Sequence, residues 1–349
     1  NAPIKTFSVG FEKGEEVNEL KYAKEVSELF ETEHKEFIVK PDIVKILPKI
    51  AWNLDEPMAD PALLPLYLLS EKAKKYVTVV LTGDGGDELF AGYDQYRFLM
   101  MANKLKHFPL TNKTSKLMRV IPSTILNRIY KHTTSMGKES FKRVDNMINS
   151  LKENNPAKSY YELVSIFNDD ERSKLMNQEF NRIDYTTLNN KYFNKKTNFL
   201  NQLLYFDIKR LLANSFLIKT DRMTMAHSIE ARVPLLDHRL VELSSKIPTK
   251  FKLKNNETKY IFKKAMSDTI QKNILYRKKQ TFHMPIENWL DKDLKGYVEN
   301  ILLDQSSGYF NKDYIEKILN NYKKGKLFYA RQIWNLICFE EWHKIFIKN

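Results

Sequence analysis

The first hundred residues alternate strand patterns with helix patterns, and this alternation restricts the available folds more than any other feature. Strand patterns cover residues 6–11 and 34–39, and a continuous β-branched apolar run covers residues 77–81. Amphipathic helix patterns lie between them. Strands that alternate with helices pair in parallel through right-handed crossovers. We therefore expect an α/β lobe, with the 77–81 strand buried on both faces of a parallel sheet.

The rest of the chain has a different pattern, because helical periodicity dominates and strand signals are few. The chain has 349 residues, which is more than one ordinary core usually fills. We expect the α/β lobe to cover residues 1–100 and a mainly helical lobe to cover residues 101–349. The segment 112–155 is polar and Lys-rich, which predicts irregular helices or a mobile insertion. Helix patterns in the second lobe include residues 206–218, 259–270 and 313–322.

Charge and cysteine content limit the classes of function. The net charge of +14 permits nucleic-acid binding, but the lysines are dispersed, which favours a solvated basic surface. The single cysteine, Cys338, excludes an internal disulfide and a cysteine-based zinc site, and it fits a cytoplasmic location. No apolar run approaches the roughly 18 residues that a membrane helix needs. A membrane-spanning protein is therefore not expected.

The most informative motif is the segment 81–93, which directly follows the third strand pattern and reads LTGDGGDELFAGY. Glycines at the carboxyl end of a parallel strand let backbone amides approach a phosphate. The carboxylates of Asp84, Asp87 and Glu88 would repel a polyphosphate unless a divalent cation lay between them. The motif therefore indicates a magnesium nucleotide. The alternative is a tight glycine turn whose acids cap a short helix.

Two further segments carry charged residues. In the segment 219–237, charged and apolar residues alternate, which indicates charges at a buried junction. We expect Arg222 and Asp237 to belong to an interlobe ion-pair network, and His227 to be a structural histidine. Lys259 lies where a helix begins, and its ammonium group could neutralise phosphate oxygens. Lysine is common in this chain, so spacing alone is weak support for a catalytic role.

These segments, in this order and together with residues 6–11, 277–282 and 285–290, resemble the synthetase domain of glutamine-dependent asparagine synthetases. That family is related to the β-lactam synthetases and belongs to the PP-loop ATP pyrophosphatases. The resemblance spans almost the whole chain. It implies an α/β fold with a Rossmann-like parallel sheet of the adenine nucleotide α-hydrolase type, followed by a mainly helical lobe. It also implies ATP and Mg²⁺ as cofactors.

The resemblance implies roles for individual residues. Val9 would hold the adenine through its backbone, and Leu81 would belong to the same nucleotide-binding set. Thr82 and Gly83 would contact the ribose or the α-phosphate. Three acids and one lysine would carry the chemistry. Asp84 would assist formation of an acyl-adenylate, Asp87 would bind magnesium, Lys259 would steady the pyrophosphate, and Glu230 would match a residue of a catalytic pair in the β-lactam-forming relatives.

The resemblance also implies partners that the chain does not contain. The family's Ser-Gly-Gly-x-Asp-Ser pyrophosphate loop would lie before Asn1, so the α/β lobe is expected to lack its first strand and this PP-loop. An N-terminal glutaminase domain would supply ammonia. We therefore expect the chain to be inactive alone. A homodimer is compatible with the sequence, whereas a nucleic-acid partner is not expected.

The reaction implied by the resemblance is ATP-dependent adenylation of L-aspartate, followed by amidation with ammonia to give asparagine, AMP and pyrophosphate. Segment 55–61 departs from the threonine- and arginine-containing loop of well-characterised members, and Asp60 could take part in another version of it. An alternative acceptor is therefore another carboxylate, such as a sugar acid in polysaccharide synthesis. Two other classes remain open, an RNA-modifying PP-loop protein and a non-catalytic helical scaffold.

Overall fold

The protein is described by a computed structural model that covers residues 2–11, 19–106, 138–177, 189–193, 196–277, 286–304 and 307–348. Within the described residues up to Leu105, three strands are each followed by one or two helices. The strands are β1 (Lys5–Phe11), β2 (Glu33–Val39) and β3 (Val79–Leu81), and the helices are α1 (Leu20–Leu29), α2 (Ile43–Leu54), α3 (Leu63–Ala73), α4 (Gly86–Phe90) and α5 (Asp94–Leu105).

The remainder is mainly helical, as the sequence predicts. Its longer helices are α6 (Lys138–Lys152), α7 (Pro156–Val164), α8 (Asp169–Leu175), α9 (Phe199–Asp207) and α10 (Leu217–Met225). A strand, β4 (Glu230–Arg232), and further helices follow: α11 (His238–Lys246), α12 (Thr249–Lys252), α13 (Tyr260–Ala265), α14 (Lys272–Leu275), α15 (Ile286–Asn288), α16 (Tyr297–Glu299), α17 (Lys312–Lys323) and α18 (Tyr329–Phe346). A wider, π-helical segment, Ile208–Phe216, connects α9 to α10.

The four strands form two parallel pairs. β1 pairs with β2 in a register that places Val9 opposite Phe37, and β3 pairs with β4 in a register that places Leu81 opposite Arg232. The predicted positions of the first three strands are confirmed to within two residues. The protein is thus a helix-rich mixed α/β structure with small parallel sheets.

The burial predicted for the third strand is wrong. Leu81 is 71% exposed and Val79 is 39% exposed, although the apolar run predicts a strand covered on both faces. Within the described residues, β3 is only three residues long and has a hydrogen-bonded partner, β4, on one side. A short strand with one described neighbour has few surrounding side chains, so its apolar composition does not ensure burial.

Local signals place the boundaries of several helices. Asp42 caps α2, as the sequence predicts, because its side chain accepts a hydrogen bond from the backbone N–H of Lys45. Pro48 lies inside α2 without ending it. The predicted helix at 313–322 corresponds to α17, and the helix pattern at 259–270 yields the shorter α13. Of the segment 112–155, only residues from 138 onward lie within the described part, where α6 is regular.

A first apolar core joins the early helices to the C-terminal ones. Buried leucines and isoleucines of α2 and α3 pack in one cluster with Trp289 and with Trp334 of α18. The indole N–H of Trp334 also donates to the backbone oxygen of Ala59, at 3.1 Å. The C-terminal helix therefore packs directly against the segment that leads into α3.

A second core surrounds a buried carboxyl group. Tyr96 and Leu99 of α5 pack with Tyr160 of α7 and Leu203 of α9, and Asp207 lies among them with no exposed surface. The hydroxyl of Tyr96 donates to Oδ2 of Asp207 at 2.5 Å, and the hydroxyl of Tyr160 donates to Oδ1. Burial raises the pKa of Asp207 to about 7 despite these donors.

None of the helices in the described ranges is both long and apolar enough to cross a membrane.

Asp207 should make folding stability depend on pH. Its pKa is raised in the folded state, so its stabilising contribution is complete below about pH 4 and is lost as the pH rises to about 7. The difference in unfolding free energy between the wild type and Asp207→Asn should therefore fall over this window, by at most about 4 kcal/mol. Denaturant unfolding at several pH values measures it.

A second variant tests the cause. Tyr160→Phe removes one hydrogen bond that favours the ionised carboxylate, so the upper end of the window should move to higher pH. A difference between wild type and Asp207→Asn that is constant from pH 4 to 7 would contradict this explanation.

Candidate functional site

The glycine-rich turn after β3 is fixed by a contact that only glycine permits. Gly85 has a φ of +93°, and a Cβ atom there would lie 2.3 Å from Cδ2 of Leu236. Both the positive φ and the close approach require the absence of a side chain. Leu236 belongs to the turn after β4. The contact therefore joins the two sequence motifs, 81–93 and 219–237, in one place.

Asp87 and Lys259 form an ion pair beside this turn. Nζ of Lys259 lies 3.2 Å from Oδ1 of Asp87, and the two side chains are about a quarter exposed. The backbone of Lys259 is also docked, because its N–H donates to the backbone oxygen of Phe90 at 3.1 Å. Lys259 directly precedes α13. The structure thus brings together an acid and a lysine that the sequence only places far apart.

Gly92 has no side chain, and this leaves room for the ion pair between Asp87 and Lys259. A Cβ atom on Gly92 would lie 1.9 Å from Oδ1 of Asp87 and 2.3 Å from Cε of Lys259. The backbone N–H of Gly92 also donates to the backbone oxygen of Asp87, at 2.9 Å. The segment from Asp87 to Gly92 is therefore folded back onto itself, with the lysine side chain packed against it.

Asp84 is held by two hydroxyl groups. Thr82 donates to Oδ2 of Asp84 at 2.7 Å, and Thr220 of α10 donates to the same oxygen at 3.1 Å. The sequence motif contains Thr82 and Asp84, but the part played by Thr220 was not predicted. Threonine is common in helices, so only the three-dimensional contact distinguishes Thr220.

Glu88, the third acid of the motif, lies inside the protein. It is 1% exposed, and it accepts a hydrogen bond from the hydroxyl of Tyr93 at 2.6 Å. Burial raises the pKa of Glu88, while the Tyr93 hydrogen bond and the nearby Lys259 act in the opposite direction. Burial raises the pKa of Tyr93 as well, so this tyrosine remains a hydrogen-bond donor. The hydrogen bond between Tyr93 and Glu88 therefore lies on the buried side of the turn.

Glu230 lies apart from these acids. It is on β4 and forms an exposed ion pair with Arg232, 2.7 Å from Oε1 of Glu230 to Nε of the arginine. The hydrogen bond from this arginine lowers the pKa of Glu230. β4 pairs with β3, so Glu230 remains on the strand next to the turn, while its contacts within the described residues are with Arg232.

The positions expected to contact a nucleotide lie on both strand pairs. Val9 is half-buried on β1, whereas Leu81 ends β3 and is exposed. Gly83 lies in open space, since a Cβ atom there would meet no atom within 4 Å. The backbone N–H of Thr82 donates to the backbone oxygen of Arg232. The turn at 82–84 therefore presents an accessible backbone at the end of β3.

The acids of the turn fit a magnesium ion that is shared with phosphate groups. Magnesium is usually bound by one or two carboxylates, with waters and substrate phosphates completing its shell. Asp87 provides a partly exposed carboxylate, and Asp84 lies at the opposite end of the turn. No cluster of three or more His, Cys, Asp or Glu side chains suited to a metal occurs in the described ranges. The partly exposed carboxylate of Asp87 is the kind of ligand that magnesium takes beside substrate phosphates.

Of the two residues expected in an interlobe ion-pair network, one pairs with a distant residue and the other pairs locally. Arg222 lies 4.0 Å from Asp55, beyond the end of α2, whereas Asp237 pairs locally with Arg239 at 2.8 Å. A more buried pair joins Lys219 to Asp60 at 2.6 Å. His227 packs edge-on against Tyr67, and its Nε2 atom is buried without a hydrogen-bond partner among the described residues, so a satisfied structural histidine stays a prediction. Residues 278–285, which include most of the motif 277–282 and the first residue of the motif 285–290, lie outside the described residues.

Known proteins resemble this chain over nearly its whole length. The family model for asparagine synthase matches residues 1–344. The chain is 33% identical over 350 residues to glutamine-hydrolyzing asparagine synthetase 1 of Bacillus subtilis, covering 99% of this chain and 53% of that protein. It is 28% identical to a putative glutamine-hydrolyzing asparagine synthetase of Mycobacterium tuberculosis, covering 100% of this chain and 52% of that protein. The chain thus spans about half the length of these relatives.

Gly92→Ala should displace the ion pair while leaving the chain folded. The new Cβ atom would overlap Oδ1 of Asp87 and Cε of Lys259, and both atoms belong to side chains that can rotate away. We expect the crystal structure of the variant to show Asp87 and Lys259 separated beyond about 4 Å, the limit for an ion pair. Gly83→Ala is the matched control, because its Cβ atom meets open space.

Thermal unfolding of Gly92→Ala and Gly83→Ala is measured alongside their crystal structures. Both variants should retain a cooperative transition. An intact pair at its original separation in Gly92→Ala would contradict the packing described for this glycine.

Proposed function

The chain belongs to the asparagine synthase family, and on that premise we propose that it is the synthetase part of a glutamine-dependent asparagine synthetase. In this proposal it adenylates L-aspartate with ATP and then transfers ammonia to the activated carboxyl group. The observation that carries the proposal is the pairing of Asp87 with Lys259 beside the glycine-rich turn. An acid suited to magnesium and a cation suited to pyrophosphate lie together there.

The chemistry explains why such a pair is needed. A carboxylate is a poor electrophile, so its oxygen first attacks the α-phosphate of ATP, and the bond to pyrophosphate breaks. The product is an acyl-adenylate. Ammonia then attacks the acyl carbon, AMP leaves with the bonding electrons, and a proton is lost to give the amide. Negative charge accumulates on the departing pyrophosphate, which nearby cations stabilise.

In this proposal each residue of the site has a distinct task. Lys259 would bind pyrophosphate oxygens in place of Asp87, and Asp87 would be the residue that holds Mg²⁺. When bound, Mg²⁺ would supply charge neutralisation to the phosphates. Asp84 lies at the turn where the acyl-adenylate would form. The backbone of Val9, Leu81, Thr82 and Gly83 would bind the nucleotide, and Glu230 would act from the neighbouring strand.

The relatives also support proposals about the rest of the protein. They are named glutamine-hydrolyzing, and each is about twice as long as the matched region. We infer that ammonia comes from glutamine through a glutaminase domain. β1, β2 and β3 would belong to a Rossmann-like sheet within residues 1–100, and residues 101–349, which contribute β4 beside β3, would complete the synthetase domain. A cytoplasmic location and a homodimer remain part of this proposal.

The proposal allows a carboxylate substrate other than L-aspartate. Asp60 lies in the segment that departs from well-characterised members, and it forms an ion pair with Lys219. Lys219 directly precedes Thr220, which donates to Asp84. This arrangement does not itself distinguish aspartate from a sugar acid. The names of the relatives favour aspartate, and they do not favour an RNA substrate.

The test follows the three products together. The complete protein, as its gene encodes it, is incubated with Mg²⁺, ATP, L-aspartate and ammonia, while AMP, pyrophosphate and asparagine are quantified. Equal amounts of the three products are expected. AMP and pyrophosphate that form only with another carboxylate would reject aspartate as the acceptor, and an absence of ATP turnover with all acceptors would contradict the synthetase function.

Asp87→Asn should remove most of this activity. The variant loses the carboxylate proposed to hold Mg²⁺, and we expect pyrophosphate release to fall by on the order of 100-fold or more. The matched control is Asp170→Asn, which disrupts another aspartate–lysine pair, with Lys174 at 2.9 Å on the surface of α8. The control should keep nearly all activity, and equal losses in the two variants would contradict a specific role for Asp87.

A further inference from the structure

Asp84 receives both of its described side-chain hydrogen bonds on one oxygen atom. Oδ2 accepts from the hydroxyl of Thr82 at 2.7 Å and from the hydroxyl of Thr220 at 3.1 Å. Two donors on the same oxygen restrict rotation of the carboxylate about its Cβ–Cγ bond more than one donor does. They also leave Oδ1 as the oxygen that is directed away from both threonines.

The bond from Thr220 departs from the usual behaviour of a helical threonine. Such a hydroxyl commonly donates to a backbone oxygen three or four residues earlier in the helix. Thr224, one turn later, follows this pattern and donates to the backbone oxygens of Thr220 and Asp221 at 2.9 and 3.2 Å. Thr220 instead donates across the structure to Asp84. Its side chain is 5% exposed, so the donor is shielded from water.

The helix that carries Thr220 is firmly anchored. The neighbouring Lys219 pairs with Asp60 at 2.6 Å, and both side chains are largely buried. Met223 of the same helix is completely buried in the first apolar core. A donor on an anchored helix can hold an acceptor of another segment in one orientation.

We propose that Thr220 is a positioning residue that fixes the orientation of the Asp84 carboxylate in the turn where the acyl-adenylate would form. This inference rests on the proposed synthetase function. Thr82 lies in the same turn as Asp84, whereas Thr220 donates from a helix outside that turn. Misorientation of a reacting group by a small distance reduces the rate of a chemical step far more than it reduces substrate binding.

The experiment compares three variants of the complete protein by pyrophosphate release. Thr220→Val has nearly the same shape as threonine and lacks the donor, Thr220→Ser keeps the donor, and Thr224→Val removes a buried hydroxyl of the same helix that does not contact Asp84. We expect Thr220→Val to lower kcat roughly 10- to 100-fold while the KM for ATP changes less than about threefold. Thr220→Ser should recover most of the rate.

Thr224→Val separates positioning from helix stability. It removes a buried hydroxyl that donates to two backbone oxygens of the helix, so its unfolding midpoint measures the structural cost of such a loss, yet kcat should remain close to that of the wild type. If Thr220→Val does not fold, Thr220→Ala takes its place, since a smaller side chain cannot overpack the site.

Three results would overturn the inference. They are an unchanged kcat in Thr220→Val, equal losses of kcat in Thr220→Val and Thr224→Val, and a failure of Thr220→Ser to recover the rate. Each requires an active wild type, so each would reject the role of Thr220 while leaving the synthetase function in place. A wild type that releases no pyrophosphate with any carboxylate would reject the proposed function, and the role of Thr220 with it.

Discussion

The ion pair between Asp87 and Lys259 satisfies the main electrostatic constraint in this structure. Three acids, Asp84, Asp87 and Glu88, lie within five residues of one turn, and like charges this close repel one another. Lys259 offsets the charge of Asp87 at 3.2 Å, and Tyr93 supplies a donor to the buried Glu88. The backbone bond from Lys259 to Phe90 docks the start of α13 against the turn and places this lysine beside Asp87.

The rest of the fold holds the parts of this turn in place from two sides. The first core packs α2 and α3 against the C-terminal helix and includes Met223 of α10, so it fixes the helix that carries Thr220. The second core packs α5, which begins directly after Tyr93, around the buried Asp207. The site thus lies at the end of the short strand β3, between the two buried cores. Rigid surroundings favour a site whose geometry is set before a ligand binds.

The sequence predicts the elements of this arrangement better than their environment. Periodicity located three strands and the Asp42 cap, because these depend on residues close together in the chain. The motif residues around Asp84 and Asp87 were identified by composition and resemblance, and the structure places Lys259 beside them. The exposure of Leu81, the role of Thr220 and the buried Asp207 were not predicted. Each depends on which distant segments pack together, and neither periodicity nor local spacing contains that information.

The most direct measurement of the central claim is a crystal structure of the complete protein with Mg²⁺ and a non-hydrolysable ATP analogue. The account predicts that the phosphates lie at the turn of residues 82–87, with Nζ of Lys259 moved from Asp87 to a phosphate oxygen and the Asp87 carboxylate directed at the metal. The hydroxyl of Thr220 should still donate to Asp84. A nucleotide bound elsewhere, with Asp87 and Lys259 still paired as they are at 3.2 Å, would contradict it.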